Sequence, residues 1–258
     1  MSLALEGKTA LVTGGSRGIG KAIGEKLAAA GAAVVINYAR NEQLAHEVVR
    51  AISAKGGRAV GIQADVSKAA EVQRLFRDAE KALGGLDIVI ANAGVHIVKP
   101  LIESTEADYD YIFDINTRGV FFTLQEAGRR VRDGGRIVVV STGGTKMYFA
   151  NMALYLGSKG AVEQFARTLA RELGPRNIAV NILSPGFTDT DMLPDEYRAY
   201  GASLSPFNRV GASDDVAMSP YFSRVTPHVG SRDRTCKRAA GWCERCAVIR
   251  TSVIPSQL

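Results

Sequence analysis

Six short apolar runs, at residues 9–13, 33–37, 59–63, 86–91, 136–141 and 179–183, punctuate the chain up to residue 183. Most are apolar without alternation, the pattern of strands covered on both faces. Between them lie longer stretches of helical period at 18–30, 41–55, 68–83, 106–132 and 152–173. Local signals agree with several of these boundaries. Gly31 follows the first helical stretch, Ser67 precedes the third, and Thr105 with Asp108 has the pattern of a capping box. Regular strand–helix alternation predicts an α/β fold, a doubly wound parallel sheet with helices on both faces and right-handed crossovers. No repeat or low-complexity linker interrupts this body, so residues 1–217 are expected to form one domain.

Periodicity stops near Ala217. The stretch 218–258 is broken by Pro220, Pro227 and Pro255 and shows no apolar face, so an irregular tail is expected there. Charge points the same way. The formal net charge is +6, but 218–258 holds seven basic residues against two acidic, leaving the body at +1. No specific nucleic-acid surface is therefore expected. All three cysteines (Cys236, Cys243 and Cys246) also lie there, and with His228 they resemble part of a zinc site. In a stretch without ordered patterning the resemblance is accidental, and no metal is expected. No apolar run reaches the roughly 18 residues of a membrane span, and the first residues lack a basic-then-apolar leader. The expectation is a cytoplasmic protein acting on a small molecule, away from membranes.

Residues with chemical potential gather at the strand ends. The first strand runs into Thr13-Gly14-Gly15-Ser16-Arg17-Gly18-Ile19-Gly20. Its glycines permit a tight turn and let an anion approach the free N–H groups of the following helix. In a strand–turn–helix setting this is the pyrophosphate turn of a Rossmann-type dinucleotide fold. In such folds the end of the second strand meets the adenosine ribose, where an acid favours NAD. Here that strand ends Asn37-Tyr38-Ala39-Arg40 without a carboxylate, and Arg17 and Arg40 offer positive charge. NADP(H) is predicted over NAD(H). Further along, Tyr155 and Lys159 stand four apart in a helical stretch and so share a face. A phenol titrates near ~10, and a neighbouring cation stabilises its phenolate and brings it toward acid–base use. Ser141, ending the fifth strand, is placed to hydrogen-bond a substrate oxygen, and Asn116 to anchor a water.

Together these residues resemble the short-chain dehydrogenase/reductase family. The matching elements are the glycine turn, Asn92-Ala93-Gly94, Asn116, Ser141, Tyr155-Leu156-Gly157-Ser158-Lys159 and Pro185-Gly186, in the family's order over roughly residues 5–217. The resemblance implies an oxidoreductase that reduces a ketone to a secondary alcohol, or the reverse, by hydride transfer. It implies Tyr155 as general acid/base, Lys159 holding the nicotinamide ribose and lowering the tyrosine pKa, Ser141 positioning the carbonyl and Asn116 completing a water relay. It also implies a cofactor site of Gly14, Ser16, Arg17, Gly18, Ile19, Gly20, Asn37, Arg40, Asp65, Val66, Asn92, Ala93, Gly94, Pro185, Gly186, Thr188 and Thr190, alongside Tyr155 and Lys159. Within the family, Asn116-Thr117-Arg118-Gly119 and Tyr155–Gly160 resemble polyketide-type ketoreductases, fungal naphthol reductases among them. The 3-oxoacyl-carrier-protein reductases are also similar. A wall of His96, Met147, Tyr148, Phe149, Met192, Tyr197 and Phe207 suits an apolar or aromatic ketone.

The family continues after its sixth strand with a helix and a seventh strand. Here Asp214-Asp215-Val216-Ala217 begins that helix and the pattern then breaks. One nucleotide missing near codons 217–218 accounts for the break. With suitable silent bases, the stretch 230–243 read in the shifted frame encodes Val-Thr-Gly-Gln-Asn-Val-Gln-Ala followed by Gly-Gly-Gly-Val-Val, a family-like ending. The terminal helix and seventh strand are therefore expected to be missing, leaving strand six an exposed edge prone to aggregation. Assembly is expected to stop at a homodimer through the long helices rather than a tetramer. The alternative is a nucleotide-binding protein whose catalysis the altered C-terminus has impaired.

Overall fold

The computed structural model describes residues 3–217 and Thr235–Cys236. The chain runs β1 (Thr9–Val12), α1 (Gly18–Ala29), β2 (Ala33–Tyr38), α2 (Glu42–Ala54), β3 (Arg58–Gln63), α3 (Ala69–Leu83) and β4 (Leu86–Ala91). It continues through α4 (Glu106–Phe113), α5 (Gly119–Arg130), β5 (Val131–Val140), α6 (Ala153–Glu172) and β6 (Ala179–Leu183). Short elements follow: β7 (Thr188–Asp189), α7 (Arg198–Ser203), β8 (Gly211–Ala212), α8 (Ser213–Ala217) and β9 (Thr235–Cys236).

Seven strands pair in the order β3-β2-β1-β4-β5-β6-β9, every pair parallel. Strand order reverses between β1 and β4, and at such a switch point a crevice opens beyond the strands' carboxyl ends. Alternate residues of the buried strands feed two cores. Leu11, Val89 and Val139 pack with Phe76, Leu124 and Val162 of α3, α5 and α6. Val12, Ile90 and Val138 pack with Ile23, Val48 and Val216 of α1, α2 and α8. This two-sided burial is why the runs read apolar rather than alternating.

The expectation that the terminal helix and seventh strand are missing is overturned. Ser213–Ala217 forms α8, with Val216 and Ala217 buried. Thr235–Cys236 occupies the seventh place as β9, in register with β6 through Ile182↔Thr235 and Leu183↔Cys236. Strand β6 therefore has a neighbour on both sides at Ile182 and Leu183, so the edge is not open along its whole length. The reason is physical. Two residues of ladder need only an extended backbone opposite the free N–H and C=O groups of β6, a demand that leaves no trace in hydrophobic periodicity. The remaining expectations for the tail, including those on His228, Cys243, Cys246 and the Cys236 side chain, lie outside the described residues.

Two boundaries also differ. The helical stretch expected over 106–132 is interrupted by a π-turn at Asp114–Arg118 and ends at Arg130. Strand β5 begins at Val131, which pairs with Leu86 before a register shift. The capping box is present, Thr105 accepting from the Asp108 N–H at 3.2 Å while Asp108 accepts from the Thr105 N–H at 2.9 Å.

Candidate active site

After β1 the backbone turns through Gly14 and Gly18, at φ 61° and 53°, conformations that favour glycine. A Cβ on Gly20 would overlap the Gly14 carbonyl and the Asn92 amide, so the turn and α1 meet this closely only through glycine. Asn92, just past β4, locks the turn by donating to the Thr13 and Gly14 carbonyls at 2.9 and 3.1 Å. Asn37, near the end of β2, accepts from the Gly14 N–H at 3.2 Å and donates to the Ile62 and Ala64 carbonyls at 3.2 and 3.1 Å. Both residues thus shape the turn with their side chains already engaged. No side chain caps the start of α1.

At the other end of the crevice, α6 presents Tyr155 and Lys159. Lys159 is buried and donates to the Val140 carbonyl at 2.9 Å, its Nζ lying 5.9 Å from the centre of the Tyr155 ring. Burial pushes the lysine down to about 8. Burial likewise pushes the phenol up to about 12, opposed by a hydrogen bond with Thr142. Of the two influences on the phenol, burial is the larger.

The hydroxyl beside Tyr155 is that of Thr142, which the sequence reading missed. Ser141 instead donates to Glu163 of α6 at 2.9 Å. Side chains alternate across an extended chain, so neighbours at a strand end point to opposite sides. That alternation was the available signal. Glu163 is buried and also accepts from Thr145 at 2.6 Å, Lys146 at 3.2 Å and Arg167 at 2.8 Å. Burial alone would raise its pKa. The bonds from Thr145, Ser141 and Lys146 outweigh that and hold the carboxyl below its ordinary range. The network ties the loop after β5 to the helix that carries Tyr155.

Asn116 sits in the π-turn, a distortion often found at functional sites. It is fully buried, accepting from the Val95 N–H at 2.7 Å and donating to the Val95 carbonyl at 2.9 Å and Ser158 Oγ at 3.1 Å. It clamps the segment after β4 and does not reach the cleft surface. Asp65 accepts from the Ser67 N–H and hydroxyl at 3.0 and 2.8 Å, as a turn residue does.

A single cleft of about 1040 Å³ joins the glycine turn to the Tyr155 face, and every cofactor position named from the sequence lines it, as does Ser141. Of the expected substrate wall, His96, Met147, Phe149, Met192 and Tyr197 line the same cleft. Tyr148 and Phe207 do not, and both are exposed.

Residues 8–201 match the sequence profile of the short chain dehydrogenases. The chain belongs to that family. Among its relatives, the hydroxynaphthalene reductase-like protein Arp2 of Metarhizium brunneum (strain ARSEF 3297) is 51% identical over 189 residues, 73% of this chain and 71% of the relative. A short chain dehydrogenase from Burkholderia cenocepacia J2315, solved in complex with NADP, is 39% identical with a TM-score of 0.85, covering 91% of this chain and 98% of that one. The angucycline C-6 ketoreductase LanV, solved with bound NADP, is 40% identical with a TM-score of 0.80, covering 84% and 88%. This short-chain dehydrogenase is thus an oxidoreductase whose glycine turn and tyrosine–lysine helix share one cleft. Among the described residues, no helix is long and apolar enough to cross a membrane.

Proposed function

We propose that this short-chain dehydrogenase reduces a ketone to a secondary alcohol with NADP(H), or runs the reverse, using Tyr155 as proton donor and acceptor. The observation that carries the reading is the single cleft joining an uncapped helix N-terminus to a phenol paired with a hydroxyl. The dinucleotide fits the residues present. A Cβ on Gly14 would lie 2.9 Å from Ala93 Cα, so glycine lets the turn pack against the segment after β4, and the start of α1 beyond it has no side-chain cap where a pyrophosphate would bind. Arg40 lines the cleft beyond β2, a strand that ends without a carboxylate to oppose a 2′-phosphate, and Arg17, also in the lining, pairs with Asp191 at 3.2 Å. The NADP seen in the Burkholderia protein and in LanV supports the same choice.

When bound, the nicotinamide supplies the hydride. The chain does the rest. Thr142 and Tyr155 hold the substrate oxygen, and Tyr155 passes its proton as negative charge develops there. Lys159, a cation in the same wall, stabilises the phenolate left behind. Asn92 and Asn37 keep the turn in shape, and Pro185, Gly186, Thr188 and Thr190 close the nicotinamide side. The substrate class, an apolar or aromatic ketone, draws support from Met147, Phe149 and Met192 in the wall and from the hydroxynaphthalene reductase-like relatives. A homodimer through the long helices is supported by Tyr109 on α4 and Phe121 on α5, large rings left exposed on one chain.

The test is Tyr155→Phe. NADPH oxidation with a ketone panel, followed by absorbance, should fall by about 10²- to 10⁴-fold, while NADPH binding followed by fluorescence persists. Intact turnover would refute the proposal.

A further inference from the structure

We propose that His96 is a substrate-recognition residue, its Nε2 hydrogen-bonding a second oxygen on the substrate close to the reacting carbonyl. The inference rests on the ketoreductase reading and narrows it, to ketones that carry a further hydroxyl or carbonyl oxygen.

Three observations meet at this side chain. His96 lines the cleft and packs edge-on against Tyr155, with ring centres 4.8 Å apart and planes at 81°. Its Nε2 is buried and has no hydrogen-bond partner, a condition shared by only one other buried side-chain atom, Ser184 Oγ, among the described residues. Its backbone is held, because Asn116 clamps both polar groups of the preceding residue, Val95. Only the backbone is held, so the ring can turn to bring the covered Nε2 to the cleft. Burial lowers its pKa, leaving a neutral ring with one nitrogen that donates and one that accepts.

A buried polar atom without a partner costs about 1–3 kcal/mol. Such atoms in native proteins call for an explanation, and in a ligand cleft the ligand is the natural source of the missing bond. Met147, Phe149, Met152 and Leu156 share the cleft wall with His96, alongside the polar Thr142, Lys146 and Tyr155. A few polar groups placed in an apolar pocket are what fix ligand orientation. Because Thr142 and Tyr155 hold the reacting oxygen, the oxygen that meets His96 is a different one. The ring contact with Tyr155 keeps it near on the same molecule.

The experiment compares indanone with each of its ring-monohydroxylated forms, in the full-length wild-type protein and in His96→Phe, with NADPH oxidation as readout. Intrinsic reactivity differences between ketones are common to both enzymes, so the ratio of kcat/KM, hydroxylated over parent, isolates the side chain. For at least one hydroxylated form this ratio should fall about 10- to 100-fold in His96→Phe, mostly through KM. His96→Gln, which restores a donor and an acceptor, should recover part of it. Ratios that are the same in all three proteins would overturn the inference and leave the ketoreductase reading standing. No NADPH oxidation with any ketone by the wild-type protein would overturn that reading and the inference with it.

Discussion

Two adjacent hydroxyls, one facing the phenol and one facing a carboxylate, make opposite predictions for two conservative substitutions. Thr142→Val keeps the shape and the methyl group but removes the hydroxyl bonded to Tyr155. The donor lost there is one that would meet developing charge on the substrate oxygen. Such a donor is worth about 2.7–4 kcal/mol of transition-state stabilisation, a fall in kcat of about 10²- to 10³-fold. Little should change in folding, because the partner left behind opens on the cleft. Ser141→Ala removes one of the four donors that Glu163 collects. A buried carboxylate short of one hydrogen bond costs about 1–3 kcal/mol of stability. At about 2–4 °C per kcal/mol for a chain of this size, Tm should fall by several degrees, while kcat stays within a few-fold. The assay is initial-rate NADPH oxidation beside a thermal melt of each protein. If Ser141→Ala abolished turnover at unchanged Tm while Thr142→Val remained active, the assignment of the two hydroxyls would be wrong.

Three further outcomes are expected. Gly20→Ala forces a methyl into the Gly14 carbonyl and the Asn92 amide, so NADPH affinity should drop at least about tenfold by fluorescence titration, with a lowered Tm. Arg17→Ala with Arg40→Ala should raise KM for NADPH far more than KM for NADH, since only NADPH carries the 2′-phosphate; equal effects would place the phosphate elsewhere. On pH, burial opposes but does not defeat the hydrogen bonds that hold Glu163 below its ordinary 4.5. The unfolded chain then takes up the proton first, so Glu163 adds stability above that value and loses it as pH falls through the lower folded value. Thermal melts from pH 7 to about pH 3 should show a shallower acid loss in Glu163→Gln; an unchanged slope would count against the network.

The sheet and most of the cleft were legible because they rest on local demands. A strand buried on both faces must be apolar, and a backbone that turns against another backbone must use glycine at Gly14 and Gly20. Tyr155 and Lys159 share a helix face by spacing alone. What stayed hidden depends on partners distant in sequence. Ser141 ends a strand at the cleft, but the direction of its hydroxyl is set by the position of Glu163 on α6. Asn116 stands alone in the sequence, and only the π-turn that carries it brings its amide onto Val95.

The amino-acid order alone therefore determined a doubly wound parallel sheet, a glycine-lined turn and a tyrosine–lysine helix, each set by periodicity or backbone sterics. Only the tertiary structure decided which hydroxyl meets the phenol, that the phenol is raised rather than lowered by its surroundings, and that β9 completes the sheet beside β6. Those outcomes depend on burial and on pairing between segments remote along the chain, where hydrogen bonding and desolvation act with no local pattern to announce them.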